Sequence, residues 1–304
     1  MAGVITTGNH PKALWPGIEA WFGRKYDMHE KFCESMFDVV GSKKKYEENV
    51  ESPGFGLAPI KAEGSSVMYD SDMQGPVTRY THDVYSLGYI VTEEEMDDNL
   101  YAEVSKTRAE QLAFSMYTTK EIVAANVYNR AFNVNYPGGN GVSMINSAQP
   151  TEDGIQSNEL TVAADLSEAS LEALLIQIMN AKNSRGLEIA LRADQLIVSP
   201  TNAFEAQRIL HSTLQSGTAN NDINAVRDMG LVPGGFMANP YLTDADAWFL
   251  RTNAPNGTKG FMRKALAFTR DNDFDTSNAK AKASERYVFG WSDWRGVFGS
   301  AGAA

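Results

Sequence analysis

The sequence predicts an α+β protein whose thin, extended first half is completed by a compact second half. Three observations point there. Residues 58–92, "APIKAEGSSVMYDSDMQGPVTRYTHDVYSLGYIVT", are rich in Val, Tyr, Thr and Ile and punctuated by Gly64, Gly75-Pro76 and Gly88, the signature of an extended β-hairpin. Thr92-Glu93-Glu94-Glu95 forms a capping box at the head of a long apolar stripe, so a helix follows. Tyr287, Phe289 and Trp291 then fall on alternate residues near the C-terminal end, as along one face of a strand.

Composition sets the outer bounds. The 304 residues suffice for an ample core, and 43% hydrophobic with 10% aromatic residues excludes disorder as the main state. A net charge of −11 argues against a surface that wraps nucleic acid tightly. Cys33 is the only cysteine, which leaves no intrachain disulfide and no thiolate metal cage, and a reducing cytosol fits. No apolar run approaches the ~18 residues of a membrane span, and the first residues lack a secretory h-region.

Taken in order, Ile18, Phe22, Phe32, Met36 and Phe37 recur at roughly helical spacing, so a helix is expected within Pro16–Val40. "GSKKKYEENVESPGFG" reads as a solvated bend, and the hairpin that follows has little core of its own. Such an element is an arm lying on a neighbour or an edge in need of protection. The helix after Thr92 carries Met96, Leu100, Val104, Leu112, Met116, Val123 and Val127 on one side, with a break expected near Thr118–Thr119, and stops before "NVNYPGGNG". At 1.5 Å per residue it is a strut of roughly 50–60 Å. Ser167 caps a second helix through Leu171, Leu174, Leu175 and Ile178, closed by Gly186. "LIVSP" (Leu196–Pro200) is a short buried strand, and a helix follows from Thr201 or Asn202 through Leu214. "SGTANNDINAVRDMGLVPGG" reads as a polar loop, and "DAWFLRTNAPNGTKGFMRKALAF" as two strands around a turn at Asn256-Gly257. After a polar run comes the aromatic strand, which ends or bulges near Ser292–Asp293, because Trp294 and Phe298 take the opposite parity.

Catalytic patterns are missing. His10, His29, His82 and His211 stand far apart, no serine sits in a G-x-S-x-G elbow, and "GGNG" and "VPGG" lack the lysine and helix of a phosphate cradle. Asp271, Asp273 and Asp275 alternate as in a calcium loop. Thr276 replaces the glycine and Lys282 the final glutamate such a loop requires, so a solvated loop is the plainer reading. Cys33 reads as core. No cofactor is expected.

What remains is architecture: an arm, a thin hairpin, a strut, a compact mixed region and returning aromatic strands. That order resembles the major capsid proteins of tailed bacteriophages, with their Hong Kong 97-type fold. Three stretches look like the Mu-like head-subunit branch: "LSEASLEALLIQIMNAKNSRGLEIALRADQLIVSPTNAFEAQRIL" (Leu166–Leu210), "GLVPGGFMANPYLTDADAWFLRT" (Gly230–Thr252) and "RYVFGWSDWRGVFGS" (Arg286–Ser300). The resemblance implies an N-terminal arm at 1–57, an extended loop at 58–91 lying over an adjacent subunit, and a spine helix opening a peripheral domain at 92–153. An axial domain at 154–239 and return strands at 240–304 would complete it. Lys61, Met68, Tyr69, Arg79, Tyr80, Trp15 and Trp21 are the expected assembly contacts. Tyr287, Phe289, Trp291 and Trp294 are the expected core of the peripheral sheet, the first three under the spine helix, with Trp294 and Phe298 turned to the other face or a neighbour.

The function so implied is structural: many copies form hexamers and pentamers of an icosahedral head enclosing double-stranded DNA, in the virion after assembly in the host cytoplasm. Partners would be further copies, a portal protein and a separate scaffolding protein, since about fifty residues before the hairpin are too few for a fused scaffold. Lys61 has no marked asparagine and glutamate partners, so no covalent cross-linking of subunits is expected. An encapsulin-like shell is the alternative, and a cation-dependent enzyme built on Asp271, Asp273 and Asp275 the more distant one.

Overall fold

A computed structural model describes residues 22–23, 25–92, 94, 101–214, 223–272 and 278–303, without the side chains of 101–106 and 272. Two four-stranded sheets dominate. The first has the order β1-β10-β11-β4, from Asp38–Gly41, Thr258–Asn272, Ala279–Trp291 and Asp83–Val91. β1 runs parallel to β10 and the other pairs are antiparallel. The second has the order β12-β9-β7-β8, from Val297–Ser300, Trp248–Thr252, Ala193–Val198 and Phe236–Ala238.

β11 shows why the C-terminal aromatics are there. Its alternate residues Ala279, Ala281, Ala283, Glu285, Tyr287, Phe289 and Trp291 are all buried. Across that face lies α2, a helix of 29 residues from Tyr101 to Asn129, about 44 Å long at 1.5 Å per residue. The helix meets the sheet through Ala109, Leu112, Ala113, Met116 and Tyr117 at one end and Ala124 and Tyr128 at the other. Alanines on both partners permit close approach, and tyrosines fill the wider part.

The strand ends at Trp291; no bulge follows. Asp293 accepts the Arg295 amide at 3.0 Å and opens a single 3₁₀ turn, Trp294–Gly296, which delivers β12 to the second sheet. Trp294 and Phe298 are therefore buried within the chain, their rings 6.3 Å apart, and turn neither to the outer face nor to a neighbour. Where the chain crosses between sheets, Gly257 and Gly296 pack backbone to backbone. A Cβ on Gly296 would stand 2.4 Å from the Gly257 Cα. Tyr128 joins the sheets, edge-on to Phe249 at 5.3 Å and to Phe37 at 5.7 Å.

In the second half, Ser167 accepts the Ser170 amide at 3.2 Å and caps α3, Glu168–Met179. Its Leu171, Leu174, Leu175 and Ile178 are buried together with β7. Pro200 starts a 3₁₀ turn, Pro200–Asn202, into α4, Ala203–His211.

Several expectations are corrected. The helix expected over Pro16–Val40 is broken: residues 22–23 and 25–27 are helical, α1 spans only Phe32–Met36, and β1 begins at Asp38. α2 runs through Thr118–Thr119 without a break, the Thr119 hydroxyl donating to the Ser115 carbonyl at 2.8 Å. Gly186 does not close α3, which stops at Asn180. The glycine instead takes a left-handed φ of 80° in the following turn. The polar run after α4 contains a short helix, α5, Ala225–Asp228, capped by Asn224. β9 and β10 flank the Asn256-Gly257 turn but belong to different sheets. Of the expected helix stripe, Leu112 and Met116 are buried and Val123 and Val127 half-buried; Met96, Leu100 and the Val104 side chain lie outside the described residues.

Candidate functional site

The expected hairpin of 58–91 is in fact three things. Its stem is a two-stranded ladder of β2, Tyr46–Val50, and β3, Val77–Thr81, in register Tyr46↔Thr81 to Val50↔Val77. So the stem begins in the segment read as a solvated bend. Residues 51–76 form a loop without strands, and residues 83–91 are β4, part of the first sheet.

Two side-chain ties draw the limbs of this loop together. The Ser52 hydroxyl donates to Asp72 at 2.8 Å and the Gly56 amide to Asp70 at 2.8 Å. The Gly56 and Ser71 amides hold the Asp70 carboxyl below its ordinary range. At the root, the Glu51 amide donates to the Pro76 carbonyl at 3.0 Å and the Gly75 amide to the Glu51 carbonyl at 2.8 Å.

Two arginines hold the loop to the body. Arg185 donates to the carbonyls of Gly54 at 3.3 Å and Ser71 at 2.5 Å, so it grips both limbs. It also pairs with Asp70 at 3.5 Å and with Glu152, at the β5–β6 turn of Gln149–Thr151 and Gly154–Gln156, at 3.4 Å. Arg295 is buried and stacks over Trp294 at 4.3 Å. Its guanidinium meets Asp293 at 3.2 Å, Glu51 at 3.5 Å, the Lys182 carbonyl at 2.7 Å and the Ser184 hydroxyl at 3.3 Å. Ser184 also donates to Glu51. Burial pushes the Asp293 carboxyl up, and Arg295 beside it opposes that shift. A cavity of about 440 Å³ adjoins this network, lined by Glu51, Pro53, Ser184, Asn256, Asp293 and Arg295 among others.

Between its anchors and its tip the loop is bare. Leu57, Ile60, Met68 and Tyr69 are 83, 100, 76 and 90% exposed. A solvated loop with four such residues in sequence is an unpartnered apolar surface, and such surfaces mark contacts with other molecules. Lys61 stands beside the turn at Glu63-Gly64, at the tip rather than the base of the loop, and is exposed.

The expected assembly contacts therefore divide. Met68, Tyr69 and Lys61 lie on the free part of the loop. Arg79 belongs to the stem, paired with Glu48 at 2.7 Å and lying 4.6 Å over the Tyr46 ring. Tyr80 is buried against Phe261 at 5.0 Å with its hydroxyl 2.5 Å from Ser292, so it fastens the stem to the first sheet and offers nothing to a neighbour. Burial pushes its phenol up to about 12. Trp15 and Trp21 lie outside the described residues. The sequence reading missed both anchoring arginines. Only the acid-rich loop hinted that cations would be needed.

The calcium-like run places Asp271 in β10 opposite Lys280, while Asp273 and Asp275 lie outside the described residues. Among the described residues no group of three or more His, Cys, Asp and Glu side chains could hold a metal ion, and no helix is long and apolar enough to cross a membrane.

Under α2 lies a set of charges that the sequence did not reveal. Glu121 and Glu285 are 1 and 2% exposed. Glu121 accepts the Cys33 amide at 2.9 Å, and Glu285 accepts the Tyr26 hydroxyl at 2.9 Å with Lys120 at 3.9 Å. Burial raises both carboxyls above their ordinary values. Cys33 is buried and free, as expected for a core thiol.

Comparison with known proteins agrees with this architecture. The chain superimposes on the capsid subunit of a native GTA particle with a TM-score of 0.60 at 12% identity, covering 100% of this chain and 93% of that one. The virus-like particle of Pyrococcus furiosus gives a TM-score of 0.52 at 12% identity over 94% and 98% of the two chains. Mycobacterium phage Che8 gives 0.52 at 14% identity over 90% and 93%. No protein of curated function matches by sequence. The fold is the α+β Hong Kong 97-type capsid fold. Residues 76–300 match the sequence model described as phage capsid protein, and the chain belongs to that family.

Proposed function

We propose that this chain is the major capsid subunit of a tailed bacteriophage, many copies of which form the hexamers and pentamers of an icosahedral head around double-stranded DNA. Its role is structural, and its place is the virion after assembly in the host cytoplasm. The observation that carries this reading is the loop of residues 51–76: fixed at its root by a buried arginine, yet exposing Leu57, Ile60, Met68 and Tyr69. An element so built has its apolar partner on another copy, and a head-to-tail contact of that kind closes into rings and shells.

In this reading α2 is the spine helix. The first sheet with α2 is the peripheral domain, residues 154–239 supply most of the axial domain, and residues 51–76 lie over an adjacent subunit. The Mu-like placement rests on the three quoted stretches. A separate scaffolding protein and a portal protein would be the assembly partners. Sedimentation of the expressed chain, with and without a candidate scaffold, tests the proposal. Particles or capsomer rings are expected, and a discrete monomer or dimer under every condition would count against it. The similarity to the Pyrococcus furiosus virus-like particle favours an encapsulin-like compartment as second reading. Shells that protect DNA from nuclease support the first, and shells filled with a protein cargo the second.

A further inference from the structure

Between Tyr26 and Cys33 the chain lies against α2 without burying a side chain: residues 27–32 are all exposed or half-buried. Apolar anchors stand at the two ends, Phe22 stacked on Phe268 at 4.9 Å and Phe37 packed edge-on to Tyr128. What holds the span between them to the helix is polar. The Tyr117 hydroxyl donates to the Glu30 carbonyl at 2.5 Å, Glu121 accepts the Cys33 amide at 2.9 Å, and the His29 ring stacks on Tyr117 at 4.7 Å. A segment held in this way has little buried apolar area to lose, so it can open without the rest of the fold.

The two buried carboxyls of this layer are not equivalent. Glu285 has the Lys120 ammonium at 3.9 Å and the Tyr26 hydroxyl at 2.9 Å. Glu121 has no ion pair among the described residues; its Oε2 accepts the Cys33 amide, and its Oε1 has no hydrogen-bond partner. The titratable groups facing it are Cys33 and Glu34 from the span, Tyr117 and Lys120 from α2, and Tyr287 from β11. Burial pushes the thiol and both phenols up, so none of them brings a charge, and Glu34 pairs with Lys31 at 3.7 Å. Lys120 is the one cation in the set, and its ion pair is with Glu285. A carboxylate at Glu121 would therefore be a buried charge with an unanswered oxygen, whereas the neutral acid suits the closed layer. Lifting the span would let water reach Glu121, and the carboxylate is then the favoured form. We propose that residues 27–33 are a strap that Glu121 keeps closed on α2 while it carries its proton and releases when it ionises, with Glu285 and Lys120 as a hold that does not respond. The inference stands apart from the shell reading and needs no second copy of the chain.

Cys33, the chain's only cysteine, is buried at the end of the strap and reports its opening. The rate at which a pyridyl disulfide labels the full-length chain, divided at each pH by the rate for the urea-unfolded chain, measures the open fraction. Burial raises the Glu121 carboxyl above its ordinary value of 4.5, so the closed strap holds a proton that the open one releases. The ratio should therefore rise by about tenfold per pH unit above 4.5 and level off once the raised value is passed. Glu121→Gln, whose amide oxygen can still accept the Cys33 amide, should make it flat. Glu285→Gln should raise labelling at every pH and keep the slope. His29→Asn, which removes the other titratable side chain of the strap against Tyr117, should keep the slope as well. The opening should also depend on urea far less than global unfolding followed by circular dichroism, because it exposes little surface. Should Glu121→Gln fail to fold, hydrogen exchange of the wild-type chain decides: residues 27–33 should lose protection as pH rises while residues 109–128 of α2 keep theirs. A flat wild-type ratio, a slope that survives Glu121→Gln or vanishes with His29→Asn, a urea dependence equal to that of global unfolding, or protection lost equally from α2 would overturn the inference.

Discussion

Replacing Arg295 by alanine is the sharpest perturbation of the loop root. The side chain is 3% exposed and serves four partners: Asp293 at 3.2 Å, Glu51 at 3.5 Å, the Lys182 carbonyl at 2.7 Å and the Ser184 hydroxyl at 3.3 Å. Removing it strands the Asp293 carboxyl in an environment that already pushes that group up. It also exposes the Trp294 face on which the guanidinium lies at 4.3 Å. Breaking a buried ion pair by deleting one partner costs about 3–5 kcal/mol. For a chain of this size each kcal/mol lowers Tm by about 2 °C, so scanning calorimetry should show a fall of roughly 6–10 °C. Because Glu51 begins the loop, limited proteolysis should cut residues 51–76 faster at temperatures well below Tm. Arg295→Lys should recover part of the loss, having charge without the fork that spans two carboxylates. A Tm within about a degree of wild type, with unchanged cleavage, would refute the reasoning, since it would mean that the pairs contribute nothing net.

Arg185→Ala should behave differently: its side chain is 24% exposed, and a pair so placed contributes up to about 1 kcal/mol. Its Tm should barely change while loop cleavage rises at least as much as in Arg295→Ala; a large Tm loss would contradict the division of labour between the two arginines. Burial raises the Glu121 carboxyl above its ordinary value of 4.5. The folded state therefore holds a proton that the unfolded state releases, and stability declines as pH rises from 4.5 through the folded value. Glu121→Gln should flatten that decline, with the Tm difference between variant and wild type growing toward neutral pH; parallel pH profiles would show that the carboxyl is not the source.

Elements with a local physical cause were legible in the sequence. Ser167 caps α3 because its hydroxyl answers an amide three residues on, and the alternation through Tyr287, Phe289 and Trp291 is visible because one face of β11 is buried along its whole length. The stem strand Tyr46–Val50 escaped notice because "YEENV" is charged and largely solvated on both faces, so no alternation marks it. The loop was read as strand from the Val, Tyr, Thr and Ile content of 58–92 as a whole, but β-propensity expresses packing against neighbours, and within one copy Leu57, Ile60, Met68 and Tyr69 are left exposed. The helix stripe was sought in large aliphatic residues, of which Leu112 and Met116 do meet the sheet, whereas Ala109, Ala113, Ala124, Tyr117 and Tyr128 supply the rest of the contact. The loop anchors were out of reach for a simpler reason: Arg295 meets Glu51 across 244 positions of sequence, and Arg185 meets Asp70 across 115.

The claim that residues 51–76 join one subunit to the next is tested most directly by negative-stain electron microscopy of two preparations. One is the wild-type chain; the other has residues 55–73 replaced by a short Gly-Ser linker, which leaves the β2–β3 stem, Glu51 and Tyr80 in place. The account expects closed shells, tubes or capsomer rings from the first, and from the second a folded subunit, with the wild-type circular dichroism spectrum, that forms none. Shells of equal yield from both chains would contradict it.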